Sequence, residues 1–215
     1  MLARLEYGDD EIDTTHMISQ LPRLSLTSLE MRLESSASYQ LFNRLATSGT
    51  ITNLKLHLGD HSNSSTDAFA SDLAILAPNL VSLHVHTLKE PSPLDQIFPL
   101  LAKCQSLHVY EFNCANLVGM QYLPVLQELE LGYVQWDAQE TLIPFLKGRT
   151  KKLEKLQMFV AVFHEDCHSM EEAEDQYWEL LEVGRNSAVQ FEWDIEMHVS
   201  DPRTRDRIEL TFPLQ

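Results

Sequence analysis

One phrase recurs along this chain and limits what it can fold into: an apolar residue is followed three and five positions later by two more apolar residues. The phrase is clearest in the copies that begin at Ile51, Leu80, Leu126 and Leu153. Weaker copies begin at Leu2, Leu26, Cys104 and Ala188. Successive middle anchors are 22 to 35 residues apart, and they are Leu5, Leu29, Leu54, Leu83, Leu107, Leu129, Leu156 and Phe191. The chain is therefore predicted to consist of repeated units of similar structure.

The last two anchors of each phrase are separated by one residue, which is the spacing of side chains on one face of a β-strand. The anchors then face a common core, and the residue between them faces the other way. A unit of this length cannot bury its apolar face alone, so neighbouring units must stack on one another. We predict an α/β solenoid that forms a single domain over residues 1–215, with about eight strands in a curved parallel sheet on the concave side and short helices on the convex side.

Two of the segments between the predicted strands carry helix-start signals. Residues 137–140 and 169–172 have the spacing of a capping box, in which side chains bond to the free backbone N–H groups at a helix start. Gly148 and Gly184 follow these signals and are predicted to end the two helices, because glycine is the residue that most often follows a helix.

Other elements are predicted from apolar spacing and from prolines. Residues 39–45 and 65–77 carry apolar side chains at helical spacing. Pro99 and Pro144 are predicted to lie at the starts of short helices, since a proline inside a helix costs about 3 kcal/mol. Residues 188–215 are predicted to form a strand, a turn and a second strand, so that a C-terminal β-hairpin caps the last repeat.

Composition limits the partners that this chain can have. Acidic residues outnumber basic ones by 32 to 16, which gives a formal net charge of −16. Such a charge disfavours nonspecific binding to nucleic acids and to anionic membranes, so we expect neither partner. We find no run of about 18 apolar residues and no charged leader before an apolar segment. The odd number of cysteines suits a reducing compartment, and we expect an intracellular protein of the cytoplasm or nucleus.

The residues that alternate with the anchors form the opposite face of the predicted sheet. Between the anchors lie Glu6, Glu30, Lys55, His84, His108, Glu130, Gln157 and Glu192. Two positions later lie Gly8, Arg32, His57, His86, Tyr110, Gly132, Phe159 and Asp194. Adjacent strands are about 4.8 Å apart, so these rows predict a cationic strand surface that consists of Arg32, Lys55, His57, His84, His86, His108 and Tyr110. We expect this concave surface to bind a protein with acidic or aromatic contact groups; the alternative is that the side chains are simply solvated.

The histidines of this surface raise the question of a zinc site, because imidazole is a common zinc ligand. A flat ladder of parallel strands is a poor tetrahedral cage, so we predict no metal site, no cofactor and no catalytic residues. His164-Glu165-Asp166-Cys167-His168 is dense in potential ligands but lacks the spacing of known metal motifs, and it is predicted to be a surface loop. The alternative is a metal-dependent enzyme that uses the histidine surface or residues 164–168.

Two charged segments are predicted to be solvated. The basic run at residues 147–152 has no interleaved aromatic residue, and a helix C-terminus followed by a turn explains it without a nucleic acid. The acidic side chains of residues 171–182 are predicted to form the solvated face of a helix, opposite an apolar face that includes Trp178 and Leu181.

Residues 77–85 read Ala-Pro-Asn-Leu-Val-Ser-Leu-His-Val and resemble the repeat phrase of fungal F-box and leucine-rich-repeat proteins. The irregular repeat length is similar as well, and the likeness covers nearly the whole chain. The resemblance implies a non-catalytic leucine-rich-repeat module that recruits a protein target, as the substrate-recognition part of a ubiquitin-ligase component. In that family an F-box segment docks to the ligase adaptor, whereas this sequence opens inside a repeat at Leu2. A further alternative is a truncated or degenerate repeat fragment without a retained partner.

Overall fold

The computed structural model of the protein describes residues 2–4, 26–33, 36–47, 49–58, 66–86, 97–110, 123–134, 139–163, 170–200 and 207–210. The chain divides into two compact units, Met1–Leu107 with Tyr122–Leu126, and His108–Gln121 with Gln127–Gln215. Each unit is α/β, with parallel strands connected by helices. The single domain over residues 1–215 stays a prediction.

The first unit alternates strands and helices in chain order. Its elements are β1 (Leu2–Arg4), β2 (Ser28–Leu33), α1 (Ser36–Ala46), β3 (Asn53–Leu58), α2 (Thr66–Leu76) and β4 (Ser82–His86). These four strands pair in that order, and all the pairs are parallel. Short 3-10 turns occupy Ala77–Asn79 and Phe98–Leu100, each with a proline at its start. The helices predicted near residues 39–45, 65–77 and Pro99 are therefore confirmed.

The anchors of the repeated phrase form the core of the first unit. Leu29 lies beside Leu54 and Leu54 beside Leu83 in the strand register, and none of these side chains is more than 2% exposed. Phe42 of α1 and Leu73 of α2 are fully buried as well. Anchors on adjacent strands lie side by side, so the apolar layer continues from one strand to the next. The helix that follows a strand covers this layer.

A backbone hydrogen bond recurs where successive strands begin. The carbonyl oxygen of Thr27 accepts bonds from the N–H groups of Thr52 at 2.9 Å and Asn53 at 3.0 Å. The carbonyl oxygen of Thr52 accepts bonds from Val81 at 2.8 Å and Ser82 at 3.1 Å. One repeat thus satisfies a backbone carbonyl of the repeat before it. The repeats are therefore equivalent in their backbone as well as in their anchors.

The register of β1 differs from the prediction. Leu5 was expected opposite Leu29, but Ala3 occupies that position, and Arg4 rather than Glu6 lies beside Glu30. The difference is two residues, so the same set of β1 positions still faces the anchor side. A strand of three residues makes few backbone hydrogen bonds to its neighbour. Its hydrophobic pattern cannot distinguish two registers that place the same side chains on the anchor side. Residues 5–8 lie outside the described ranges.

The second unit has the same alternation and ends in a hairpin. Its elements are β6 (Glu128–Val134), α3 (Gln139–Gly148), β7 (Leu153–Phe163), α4 (Met170–Ser187), β8 (Ala188–Ser200) and β9 (Arg207–Leu210). The boundary between the units passes through β5 (Ser106–Tyr110). Strands β6, β7 and β8 are parallel in sequence order, whereas β9 is antiparallel to β8 and pairs Arg207 with Ser200. The predicted C-terminal strand pair is confirmed.

The repeated phrase also organises this unit. Leu129 lies beside Leu156, and Leu156 lies beside Phe191. Leu129 and Leu156 are buried, and Phe191 is half-buried. The carbonyl oxygen of Gln127 accepts a bond from Glu154 N–H at 2.8 Å, which is the same contact that recurs in the first unit.

Pro144 was wrongly predicted to begin a helix. It lies inside α3, where it cannot donate the usual hydrogen bond to the carbonyl of Glu140. In the same helix, Leu142 is completely buried and Leu146 is almost completely buried. Burying a leucine contributes about 1.5–3 kcal/mol, so two leucines offset the penalty of about 3 kcal/mol for the proline.

Two predictions about α4 are also wrong. The helix continues past Gly184 to Ser187. Gly184 is buried against the ring of Phe191, and a Cβ at that position would lie 2.5 Å from Phe191 Cε2. Trp178 is 56% exposed, whereas Leu180 is buried. Residues that are two positions apart on a helix differ by about 200° around its axis. A buried stripe centred on Leu180 and Gly184 therefore turns Trp178 towards solvent.

Candidate functional site

The structure brings five residues of the cationic strand surface together in the first unit. They are Arg32 on β2, Lys55 and His57 on β3, and His84 and His86 on β4. Along the rows, Arg32 lies beside His57 and His57 beside His86, while Lys55 lies beside His84. They share a face because each alternates with a buried anchor, and all are at least partly exposed.

Two of these histidines are close neighbours. The ring centroids of His57 and His86 are 5.6 Å apart and their planes are tilted by 31°. This geometry follows directly from the parallel register, in which the two residues are opposite partners. The pair can therefore act as one contact area for a bound group.

The remaining two residues of the predicted surface, His108 and Tyr110, belong to the second unit. The imidazole Nδ1 of His108 lies 2.9 Å from Oε2 of Glu130. The ring of Tyr110 lies over Gly132, where a Cβ would be 2.7 Å from the ring carbon Cδ2. Glycine at position 132 thus makes room for the aromatic ring of Tyr110.

Carboxylates of the same row lie beside the cations. Oε1 of Glu30 is 3.1 Å from Nζ of Lys55 and 3.8 Å from Nε2 of His57. In the second unit, Nζ of Lys155 is 3.6 Å from Oε2 of Glu192. Partly exposed pairs of this kind contribute about 0–1 kcal/mol each. Glu30 thus offsets part of the positive charge that Lys55 brings to this face.

The environment of His57 and His86 favours their neutral forms. Partial burial lowers the pKa of His57, and the charges of Lys55 and Arg32 lower it further, while Glu30 opposes the shift. Partial burial also lowers the pKa of His86, with added effects from His57 and Lys55. At neutral pH these rings each offer one donor and one acceptor. Arg32 and Lys55 therefore carry the permanent positive charge, and the imidazoles provide polar contacts.

This face offers one guanidinium, one ammonium group and three imidazoles for contact with a bound group. The guanidinium of arginine and the imidazole rings of histidine can contact carboxylates and aromatic rings. Among the side chains that the structure describes, no cluster of at least three His, Cys, Asp or Glu residues is arranged to hold a metal ion. The loop predicted at residues 164–168 lies outside the described ranges.

The second unit contains a cavity that the sequence patterns did not predict. It has a volume of about 560 Å³ and lies between the end of α3, the following turn and the last turns of α4. Lys147, Arg149, Lys151 and Lys152 line it together with Glu179 and Glu182. The basic run was predicted to be a solvated turn, but Arg149 is only half-exposed. The packing of α3 on α4 creates the cavity. This packing cannot be predicted from a local sequence pattern.

Comparisons of the chain with protein-family models, with curated proteins and with solved structures gave no match. In the described part of the chain, none of the helices combines the length and the apolar content that crossing a bilayer requires.

Proposed function

We propose that the chain is a leucine-rich-repeat protein whose cationic strand surface binds an acidic segment of a protein partner. One observation supports this proposal most strongly: the parallel register sets Arg32, Lys55 and His57 beside His84 and His86 on a single face. The buried anchors and the recurring carbonyl bond support the repeat architecture. In this architecture the sheet is curved and the surface lies on its concave side.

Charge gives the reason for an acidic partner. The whole chain has a formal charge of −16, so most of its surface repels acidic segments. Arg32 and Lys55 provide a local exception, and electrostatic complementarity of this kind sets partner choice and association rate. Arginine is also enriched among the residues that dominate interface energies. A partner with carboxylates and an aromatic side chain fits both the cations and the neutral imidazoles.

The proposed role is non-catalytic and intracellular. The resemblance to fungal F-box and leucine-rich-repeat proteins extends it further: the partner would then be a substrate that the repeats present to a ubiquitin ligase. Joint purification of the full-length gene product with a cullin adaptor tests this extension separately from the binding surface. A gene product that binds no adaptor would remove the ligase role and leave the surface proposal intact.

The binding surface can be tested with a fluorescently labelled peptide of glutamate and tyrosine, using anisotropy at an ionic strength of about 0.15 M, where the Debye length is about 8 Å. Arg32→Glu reverses one charge on the surface, and Lys103→Glu makes the same reversal at an exposed site elsewhere in the first unit. Loss of one charge-assisted contact costs about 1.5–3 kcal/mol, so Arg32→Glu should weaken binding about tenfold or more. Lys103→Glu should bind within about twofold of the unaltered protein, since distant exposed charges are screened.

Urea unfolding of both variants controls for loss of the fold. The proposal fails if Arg32→Glu is folded and binds as tightly as the unaltered protein. It also fails if Lys103→Glu weakens binding as strongly as Arg32→Glu, because net charge alone would then explain the interaction.

A further inference from the structure

The cavity between α3 and α4 is a second candidate binding site, and it is independent of the strand surface. Four cationic side chains and two carboxylates line it, which leaves a formal surplus of two positive charges. The surplus is unusual on a chain whose acidic residues outnumber its basic ones by 32 to 16. A volume of about 560 Å³ also falls in the usual range for small-molecule sites, roughly 300–1,000 Å³.

Stabilisation of the two helix ends does not account for all of this positive charge. Helices α3 and α4 end at Gly148 and Ser187, beside the cavity. Each helix C-terminus carries the equivalent of about half a negative charge, so both together offset about one positive charge. Some of the terminal carbonyls are also satisfied locally, because Arg149 N–H bonds to the Leu146 carbonyl and the Ser187 hydroxyl donates to the Val183 carbonyl. Positive charge remains after both effects.

Of the four cations that line the cavity, Arg149 is half-buried and the lysines are exposed. The guanidinium carbon of Arg149 lies 5.5 Å from the centroid of the Phe145 ring, a cation–π contact that orients the group. Burial lowers the pKa of Arg149, yet an arginine stays charged at neutral pH. Lys151 and Lys152 are exposed, so their ammonium groups are able to close on a ligand.

Lys147 is already engaged with a carboxylate. Its Nζ lies 2.8 Å from Oε1 of Glu179, across the gap between α3 and α4. Both side chains are more than half exposed, so the pair contributes little to stability. The other cations of the lining are Arg149, Lys151 and Lys152.

We propose that this cavity binds a phosphate monoester through Arg149, Lys151 and Lys152. A phosphate monoester carries a charge of about −1.5 to −2 at neutral pH and three acceptor oxygens. Its oxygens can therefore contact the guanidinium and both ammonium groups at once, whereas a single carboxylate offers two oxygens. The planar guanidinium can form paired bonds to two of these oxygens, and each lysine supplies a point charge. The phosphate belongs either to a small molecule or to a phosphorylated side chain of a protein.

Calorimetric titration tests this proposal with three probes: free phosphoserine, a short peptide that contains phosphoserine, and the same peptide with glutamate in its place. The test variant is Lys151→Gln with Lys152→Gln. The matched control is Lys103→Gln with Arg185→Gln, which loses the same charge at exposed positions outside the cavity. All four positions are exposed, so we expect both variants to fold, and their urea midpoints check this.

The unaltered protein should bind the phosphate probes with one site per chain. Loss of two charge-assisted contacts should weaken that binding at least about tenfold in the test variant, and the control should stay within about twofold. The weakening should be confined to the phosphate probes. Equal affinity for free phosphoserine and the phosphopeptide would assign the site to small molecules, whereas tighter binding of the peptide would assign it to proteins.

Three results would overturn the proposal. The first is the absence of binding by both phosphate probes at millimolar concentration. The second is equal affinity of the test variant and the unaltered protein for phosphoserine. The third is an equal loss of affinity for the glutamate peptide, which would show a site for anions in general rather than for phosphate. None of these results bears on the strand surface, because Arg32 and its neighbours are intact in every variant.

Discussion

Nζ of Lys55 lies 3.1 Å from Oε1 of Glu30 on the adjacent strand. The two residues are opposite partners in the parallel register, so the pair follows from the fold rather than from chance rotamers. Glu30 therefore offsets charge of Lys55, and Arg32 brings a further positive charge to the same face.

The burial of the anchors predicts a sharp contrast between neighbouring positions. Leu83 is fully buried whereas Ser82 is partly exposed. Leu83→Ala should lower the free energy of unfolding by about 2–5 kcal/mol, since it removes apolar contacts and leaves a cavity. Ser82→Ala should change it by about 0.5 kcal/mol or less. Urea denaturation measures both, and equal losses at the two positions would contradict the assigned facing.

Gly184 provides a test of packing in α4. Glycine to alanine inside a helix normally stabilises by about 0.5–1 kcal/mol. Here the added Cβ would lie 2.5 Å from Phe191 Cε2 and 3.2 Å from Met158 Cε. Gly184→Ala should therefore destabilise the protein by about 1–3 kcal/mol, the usual cost of overpacking.

Gly148→Ala is the matched control for Gly184→Ala, because nothing lies within 4 Å of a Cβ at position 148. It should leave the stability unchanged or raise it slightly in the same urea titration. Stabilisation by both substitutions would show that the ring of Phe191 does not pack on Gly184.

The lowered pKa values of His57 and His86 predict how stability depends on pH. An unfolded histidine titrates at about pH 6.5, and the folded forms titrate below it. The unfolded chain then binds more protons in the interval between, so stability rises with pH there. The stabilisation is present above about pH 6.5 and is lost as the pH falls through the folded pKa values.

This pH dependence can be measured as the free energy of unfolding between pH 7.5 and 5.5. The double variant His57→Gln with His86→Gln should show a smaller decrease than the unaltered protein over that interval. Imidazole NMR signals of the folded protein give a direct check. Midpoints at or above pH 6.5 for these two rings would contradict the assigned environment.

Cys104 should be chemically inert in the folded protein. Its thiol is fully buried, and burial raises its pKa to about 11. Only the thiolate reacts with disulfide reagents, so both access and ionisation are restricted. In the variant Cys114→Ser with Cys167→Ser, Ellman's reagent at pH 8 should detect no rapid reaction until urea exposes one thiol. Prompt stoichiometric labelling of the native variant would show that the segment containing Cys104 is open.

Anchors and their facing were predictable because a strand has a period of two and each repeat imposes the same constraint on the next. Leu54 and Leu83 illustrate this: identical local patterns place them opposite each other, and the intervening Lys55 and His84 follow automatically. The helices predicted from apolar spacing were also found for this reason, since burial of a stripe is a local property of the sequence.

Features that depend on contacts between distant segments were missed. Glycine at position 184 suggested a helix end, because the ring of Phe191 that makes it necessary belongs to the next strand. The exposure of Trp178 depends on which stripe of α4 meets the sheet. The basic cavity requires the packing of α3 on α4. None of these relationships leaves a periodic signal in the sequence.

Mapping of a bound acidic probe onto the histidine rings tests the central claim most directly. In protein with labelled histidines, the glutamate and tyrosine peptide should shift the imidazole signals of His57, His84 and His86, as assigned by single His→Gln variants. Backbone amide signals of residues 147–152 should stay in place during the same titration. Unchanged signals from the three rings, together with shifts confined to residues 147–152, would contradict the assignment of partner binding to the strand surface.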